Sequence, residues 1–456
     1  MSNNEMTKKI EQISYEHIPV EERNGNPKEL FFTWFAASTV STTLVTGALA
    51  IIVGLNFWWA AFAIVLGHLI GATIMALHSA QGPKLGIPQL IQSRAQFGYF
   101  GVLIPMVIVL TMYFGYGSMN TILVGQGIYE TLNININFVI IISLIPMVLL
   151  AIYGQNLIQK SMKLYTYFFV LVFIVLTGLI ITQISLDVLS EGAFSWAGFI
   201  VAVSVCVTWQ ITYGPYVSDH SRFMRPHASK KTFAYTYLGS FLSSTWLMLL
   251  GAALATVAIN GNIMAVIKNM GVIGFTIVIL LSLGVLVINS LNIYGAGIIV
   301  LSIASNFWSF RTTGRLRIIT YTMIGIVIAM AATIGAGNFM TYFQVYLEFV
   351  LFFIIPWSVI NLVDFYILKR RNYTHKDFHQ KNGAFGKLNY TGISIYLIVI
   401  LGQIPFINTE IYQGILSQQM NGLDIAWITG SISAFILYVI SIKIKNKRFQ
   451  LQKVSI

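Results

Sequence analysis

Two stretches of the sequence combine side chains that could recognise a small molecule without any fixed charge. One is Thr208-Trp209-Gln210 with Thr212-Tyr213, immediately before Gly214-Pro215. The other sets six hydroxyls, Ser38, Thr39, Ser41, Thr42, Thr43 and Thr46, within nine residues ahead of Gly47. Amides pair with the edge of a heterocycle, aromatic rings stack on its face, and hydroxyls donate or accept. Asn120, Asn289 and Asn292 add amides well inside apolar stretches, while Phe35 and Tyr116 add faces alongside Trp209. No Lys or Arg falls in the middle of those stretches. Such a set suits a flat, neutral, hydrogen-bonding ring; an amino acid or organic anion would call for an Arg, a Lys or an exposed helix N-terminus.

The elements that must position these groups follow from composition and charge. Of 456 residues, 56% are apolar, 14% aromatic and only 9% charged. That is too few charges to coat a soluble surface, which excludes a soluble enzyme or a disordered scaffold. The single cysteine, Cys206, offers neither an intramolecular disulfide nor a thiolate metal cluster. The net charge of +12 is a map of topology: 26 of the 27 basic residues lie in seven clusters, and Lys268 alone falls between them. The six intervals separating the clusters hold 51 to 79 residues each, room for two spans of about 20 residues and a turn. Gly54-Leu55-Asn56, 133–137, 187–192, Asn260-Gly261-Asn262, 335–338 and 408–424 supply the turns. The expected spans are 32–54, 58–78, 101–129, 138–156, 164–184, 197–217, 233–258, 273–304, 317–335, 343–367, 391–407 and 425–443. All basic clusters share one face, so the positive-inside rule places both termini in the cytoplasm of a multi-pass cell-membrane protein. The start of the chain lacks the short apolar core of a cleavable signal and reads as a cytosolic leader.

Pro215 removes a backbone donor, so span six should kink or unwind near Tyr213. Span one carries the hydroxyl run at a matching place. Interrupted backbone in a bilayer is tolerated where it lines a cavity, and interruptions in the first helices of two structural repeats are a pointer to a transporter binding site. The fold class expected is therefore an all-α polytopic membrane protein with twelve transmembrane helices. It comprises a five-plus-five inverted repeat, with helices one and six interrupted, and two additional helices. The segments are 1–30 leader, 31–185 and 196–368 repeats, 369–390 cytosolic loop, 391–443 last two helices and 444–456 basic tail.

Three stretches carry a resemblance. Gln81-Gly-Pro-Lys-Leu-Gly-Ile-Pro-Gln-Leu-Ile-Gln-Ser-Arg-Ala-Gln-Phe-Gly98, Trp209-Gln-Ile-Thr-Tyr-Gly-Pro-Tyr-Val-Ser-Asp-His-Ser-Arg-Phe223 and Ile355-Pro-Trp-Ser-Val-Ile-Asn-Leu-Val-Asp-Phe-Tyr-Ile-Leu-Lys369 resemble segments of purine-cytosine permeases of the nucleobase:cation symporter-1 family. The resemblance runs from Trp34 to about span eleven. It implies a transporter, not an enzyme, that imports a nucleobase by alternating access with a cation, either proton or sodium. It places the substrate among Phe35 and Ser38 on span one, Tyr116 and Asn120 on span three, Trp209 and Gln210 on span six, and Asn289 and Asn292 on span eight. Two departures stand out. Ser38 replaces an Asn seen in many of these permeases, and Ile288-Asn289-Ser290 replaces the hydroxyl pair with which sodium-coupled relatives ligate the ion.

Proton coupling would need a titratable group, for which Glu348 on span ten is the candidate, unless it lies near the outer end and reaches water. His68 on span two reads as a packing residue. Asp219, with Arg222 and Arg225, could form an inner gate or a solvated helix end, and Asp364 reads as a solvated end too. The 81–98 loop is expected along the inner membrane face as an anchor or gate element. The alternatives are transport of allantoin, a hydantoin or a thiamine pyrimidine precursor, and, from other classes, a passive channel or an intramembrane enzyme. No metal, nucleic acid or cofactor is implied beyond the coupling ion.

Overall fold

The polar residues of the expected turns act as helix caps. The Asn56 side chain accepts from Trp59 N at 3.0 Å and Asn135 from Asn137 N at 2.9 Å, while Ser195 and Thr313 cap in the same way. Asn133 closes a helix in the left-handed conformation, φ 56°. In the computed structural model, the residues described are 17–258, 261–308, 310, 312–368, 375–409 and 411–454. Most of the N-terminal leader, Asn260, Arg311, Lys369 to Arg371 and Glu410 lie outside them.

Fourteen helices carry the spans. They are α1 (Lys28–Ser38), α2 (Ser41–Ile52), α3 (Phe57–Ser79), α4 (Leu103–Leu132), α5 (Ile136–Tyr153), α6 (Gln155–Gln183), α7 (Trp196–Ile211), α8 (Gly214–Ser221), α9 (Ser229–Ala255), α10 (Gly271–Phe307), α11 (Gly314–Gly335), α12 (Phe339–Leu362), α13 (Tyr390–Gln403) and α14 (Ala426–Val454). With α1–α2 and α7–α8 each forming one interrupted span, they make twelve. The apolar run Gly314–Ile367, 54 residues, would be about 80 Å long as one helix, and a 3₁₀ turn at Ala336–Asn338 divides it into two spans. Leu164, Leu171 and Ile181 on α6 and Phe138, Ile141 and Ile145 on α5 are exposed, as a lipid-facing surface requires.

The two interruptions differ in degree. α1 and α2 meet at 61° across Thr39 and Val40. Span six runs from Trp196 to Ser221, with helical dihedrals kept at Thr212 and Tyr213. Its ladder slips here: Tyr213 N reaches back three residues to the Gln210 carbonyl at 3.3 Å, and Tyr216 N three residues to the Tyr213 carbonyl at 3.2 Å. Pro215 falls in the first turn of α8, where its missing N–H is not needed, so the unwinding expected at Tyr213 reduces to this slip.

The helices pack in two groups. α9 lies against α1, α2 and α3, and α7 against α3; α10 packs on α4, α5 and α11. Gly47 of α2 and Gly251 of α9 let the two backbones touch, since a side chain at either would collide with the opposite main chain. α1–α2 and α7–α8 thus face α4 and α10 across a seam.

Between α3 and α4, the 81–98 loop does not lie along a membrane surface. It folds into three one-turn helices whose Gln81, Gln89, Gln92, Arg94 and Gln96 are all buried. Burial is sustained because the amides bond one another. Gln89 Nε2 donates to Gln81 Oε1 (3.0 Å), Gln81 Nε2 to Asn361 Oδ1 (2.9 Å), Asn361 Nδ2 to Gln96 Oε1 (3.3 Å) and Gln96 Nε2 to Asp364 Oδ2 (2.8 Å). Asp364, expected as a solvated helix end, is fully buried and also accepts from the Tyr438 hydroxyl at 3.0 Å. The loop is a polar joint linking spans two, ten and twelve.

Candidate functional site

At the seam lies a small cavity of about 30 Å³. Ala37 and Val40 bring the span-one break to it, Tyr116 and Asn120 come from α4, Trp209, Thr212, Tyr213 and Tyr216 from span six, and Ile288, Leu291 and Asn292 from α10. None of these eleven lining residues is charged. The rings form an edge-to-face box: Trp209 meets Tyr116 at 5.9 Å and 88°, and Tyr213 at 6.2 Å and 86°.

Behind the wall runs a chain of amides. Thr42 donates to Asn120 Oδ1, and Asn120 Nδ2 donates to Asn289 Oδ1 at 3.4 Å. Asn292 Nδ2 donates to the same oxygen at 2.7 Å. Asn289 Nδ2 is anchored on the Gly117 carbonyl at 3.0 Å and Thr121 Oγ1 at 2.9 Å. Asn289 therefore sets the orientation of the two amides that do line the cavity, without lining it. Two donors in the wall, Tyr116 O–H and Trp209 Nε1–H, are buried and have no hydrogen-bond acceptor among the described residues. Buried polar groups are normally paired, so orphaned donors in a cavity wall mark a place for a ligand's acceptors.

The other residues named from sequence lie elsewhere. The Ser38 hydroxyl is buried beside the Tyr213 hydroxyl, and Phe35 packs on Phe31 at 5.7 Å; neither lines the cavity. Gln210 points away from it. Its Nε2 donates to His68 Nδ1 at 3.0 Å and its Oε1 accepts from Ser240 Oγ at 2.5 Å, so it ties span six to spans two and seven. His68, on this pairing, carries its proton on Nε2, against Met248 Sδ at 3.2 Å, and is the packing residue expected.

Glu348 accepts from Gln344 at 3.2 Å and lines a separate, largely apolar cavity of about 380 Å³ with Thr208 and Asp424, next to the segment joining α13 and α14. Asp219 accepts from Gln89 N at 2.8 Å and, with Arg222, lines a cavity of about 20 Å³ on the side of the basic clusters. Tyr216 and Leu291 border both this cavity and the central one and form the partition between them. Thr212, Tyr213 and Thr42 stand in the two polar stretches that the sequence marks but are not among the residues it assigns to the substrate, and neither is Tyr216. Their signal was position: three adjoin Gly214-Pro215 and the fourth lies in the hydroxyl run.

Twelve spans, two of them interrupted, around an uncharged aromatic and amide cavity define a multi-pass membrane permease. A family profile described as permease for cytosine/purines, uracil, thiamine, allantoin matches residues 17–430, and the chain belongs to that family. It is 39% identical over 448 residues, 96% of this chain and 97% of the other, to a Bacillus subtilis chain bearing the name purine-cytosine permease YxlA. To the purine-cytosine permease fcyB of Emericella nidulans it is 22% identical over 458 residues, 94% of this chain and 88% of that one. The fold is that of Mhp1, a nucleobase-cation-symport-1 family transporter solved closed with bromovinylhydantoin bound. The TM-score is 0.78 at 16% identity, covering 95% of this chain and 96% of that one.

Proposed function

We propose that this chain is a secondary active transporter that imports a nucleobase, cytosine or a purine, across the cell membrane by alternating access, driven by a cation gradient of protons or sodium. The observation that carries the reading is the central cavity: aromatic faces from Trp209, Tyr116 and Tyr213, amides from Asn120 and Asn292, two orphaned donors, and no charged lining residue. A planar base offers faces to the rings and ring-nitrogen and carbonyl acceptors to the donors. The names of the permease relatives support the same substrate class. The basic clusters favour an orientation with both termini in the cytoplasm, which puts the Asp219 cavity on the inside.

The test is uptake of labelled cytosine, adenine, hypoxanthine, uracil and allantoin in cells lacking their own base permeases. Accumulation of at least one base against its gradient is expected. Absence of uptake of every compound, with the protein shown in the membrane, refutes the proposal, and equilibration without accumulation indicates a channel. The hydantoin bound by the Mhp1 neighbour makes a hydantoin the second reading, and competition by unlabelled hydantoin against the best base separates the two.

A further inference from the structure

A break in a membrane helix frees carbonyls that water cannot reach, so each must find a donor or a cation. At the α1–α2 break all six carbonyls from Phe35 to Val40 have a donor from the protein. Ala36 O and Val40 O accept from the backbone N–H groups of Thr39 (2.9 Å) and Thr43 (3.0 Å). Thr39 Oγ1 donates to Phe35 O and Thr43 Oγ1 to Ser38 O. The remaining two are satisfied from other spans: Tyr213 O–H donates to Ala37 O at 3.3 Å, and Tyr165 O–H, from α6, donates to Thr39 O at 2.6 Å.

Tyr165 is buried, stacked on Phe169 at 3.9 Å and 22°, and its ring fills a slot over Gly284 of α10, where a Cβ would fall 2.5 Å from the ring. The α10 stretch at this slot, Gly284-Val-Leu-Val-Ile288, has no side-chain oxygen. A sodium ion at the junction of spans one, five and eight would need a shell of oxygen ligands, partly from freed carbonyls. Here the carbonyls already accept, the facing stretch of α10 supplies no side-chain oxygen, Asn289 and Ser290 just beyond it are engaged with Asn292 and the Val287 carbonyl, and a phenol ring occupies the space. The donor set does not fit the ion.

We propose that Tyr165 takes the place of a metal cation at this break. It acts as a positioning residue whose hydroxyl holds the Thr39 carbonyl, and through it Ala37 and Val40 at the cavity wall, so that base binding by this chain is indifferent to sodium. The inference rests on the transport reading above for its substrate. The measurements are melting of the purified full-length protein in sodium chloride and in potassium chloride at equal ionic strength, tryptophan-fluorescence titration with the best base in both salts, and uptake kinetics of the wild type and Tyr165→Phe.

The wild type is expected to melt at the same temperature and to bind within twofold in the two salts. Tyr165→Phe should raise KM about tenfold, the size of one buried hydrogen bond, with Vmax within twofold at equal surface expression. A sodium-specific rise in melting temperature, a tenfold sodium-specific gain in affinity, or a Tyr165→Phe protein with wild-type KM overturns the proposal. A wild type that takes up no base refutes the transport reading alone, and the salt comparison of melting, which needs neither a variant nor a substrate, still decides this one.

Discussion

Asn289 separates a wall-shaping role from a merely structural one, because it lies behind the cavity and yet fixes both amides in front of it. Replacement by leucine keeps roughly the same volume and removes the acceptor shared by Asn120 Nδ2 and Asn292 Nδ2. The Gly117 carbonyl keeps a partner, because Thr121 Oγ1 also donates to it at 2.7 Å. The net change is two amide donors without their acceptor, at about 1 kcal/mol each. If holding the amides in place for the base contributes that much to binding, Asn289→Leu weakens base affinity by about 2 kcal/mol, roughly 30-fold. The assay is equilibrium titration of the purified variant with labelled base, alongside Gln210→Met as control. Gln210 bonds His68 and Ser240 on the far side of span six, so its loss should lower the melting temperature and leave affinity within threefold. An Asn289→Leu protein that is monodisperse and binds within threefold of wild type refutes the amide chain as a determinant of the site.

Trp209→Ala should reduce uptake at least tenfold at equal surface expression, with Trp209→Phe intermediate, since the ring forms one wall of the box; equal uptake by all three proteins would show that it does not stack on substrate. Gln96→Leu and Asp364→Asn act on one hydrogen bond of 2.8 Å, so their stability effects should fall short of additivity by about 1 kcal/mol in a double-mutant cycle. Strict additivity would mean that the joint is not a connected unit. Asp424, in the segment before α14, has its carboxyl raised by burial, against the lowering effect of the Asn408 and Ala426 N–H groups that bond it. A carboxyl raised on folding stabilises the native state below its unfolded value and loses that contribution as pH rises through the folded value. Melting of Asp424→Asn should therefore lack the part of the wild-type decline that sets in above the ordinary aspartate range, and parallel pH curves for the two proteins would contradict this.

The fold was legible because its determinants are one-dimensional. Charge clusters and Asn- or Gly-rich turns repeat along the chain, and spans such as Phe57–Ser79 and Ile136–Tyr153 fall within two or three residues of the expected ends. The side of a helix that meets a cavity is not one-dimensional. Trp209 and Gln210 are neighbours in sequence, but about 100° apart around the helix, and only the first faces the cavity. Asn289 and Asn292 are on neighbouring turns of one face, about 60° apart, and divide into support and wall because the first is drawn back by the Gly117 carbonyl and Thr121. The polar joint was hidden because a Gln-rich loop with a Lys and an Arg reads as surface until its amides are seen to bond each other. Tyr165 carries no signal at all in sequence, since a lone tyrosine near the start of an apolar span looks interfacial until the break in span one is placed beside it.

The distribution of bonds across the seam says which way the site opens with least disruption. On the side of the basic clusters, Asp219 of α8 holds Gln89, and Arg94 from the same joint donates to the Phe378 carbonyl at 2.6 Å and to Asn306, at the end of α10, at 2.9 Å. Trp34 packs on Tyr213, Tyr216 and His220 within 5.2 to 6.2 Å, and Tyr216 meets Tyr113 of α4 at 5.1 Å. On the opposite side, a vestibule of about 400 Å³ lies between α2, α4 and the turns at 261–264 and 336–341, and the side-chain bond described across it is Asn262 to Glu130 at 2.9 Å. A cavity of about 30 Å³ has room for water but not for a base, so the seam must part to load it. Because Gly47 and Gly251 bind α2 to α9 face to face, those two helices move together. Parting them from α4 at the vestibule sacrifices the exposed Asn262–Glu130 bond and the buried Thr42–Asn120 bond, two uncharged-donor contacts, whereas parting the seam at the joint sacrifices a buried charged network and an aromatic cluster. The bonds are more numerous and more buried on the side of the basic clusters than at the vestibule, so the seam parts with less disruption at the vestibule.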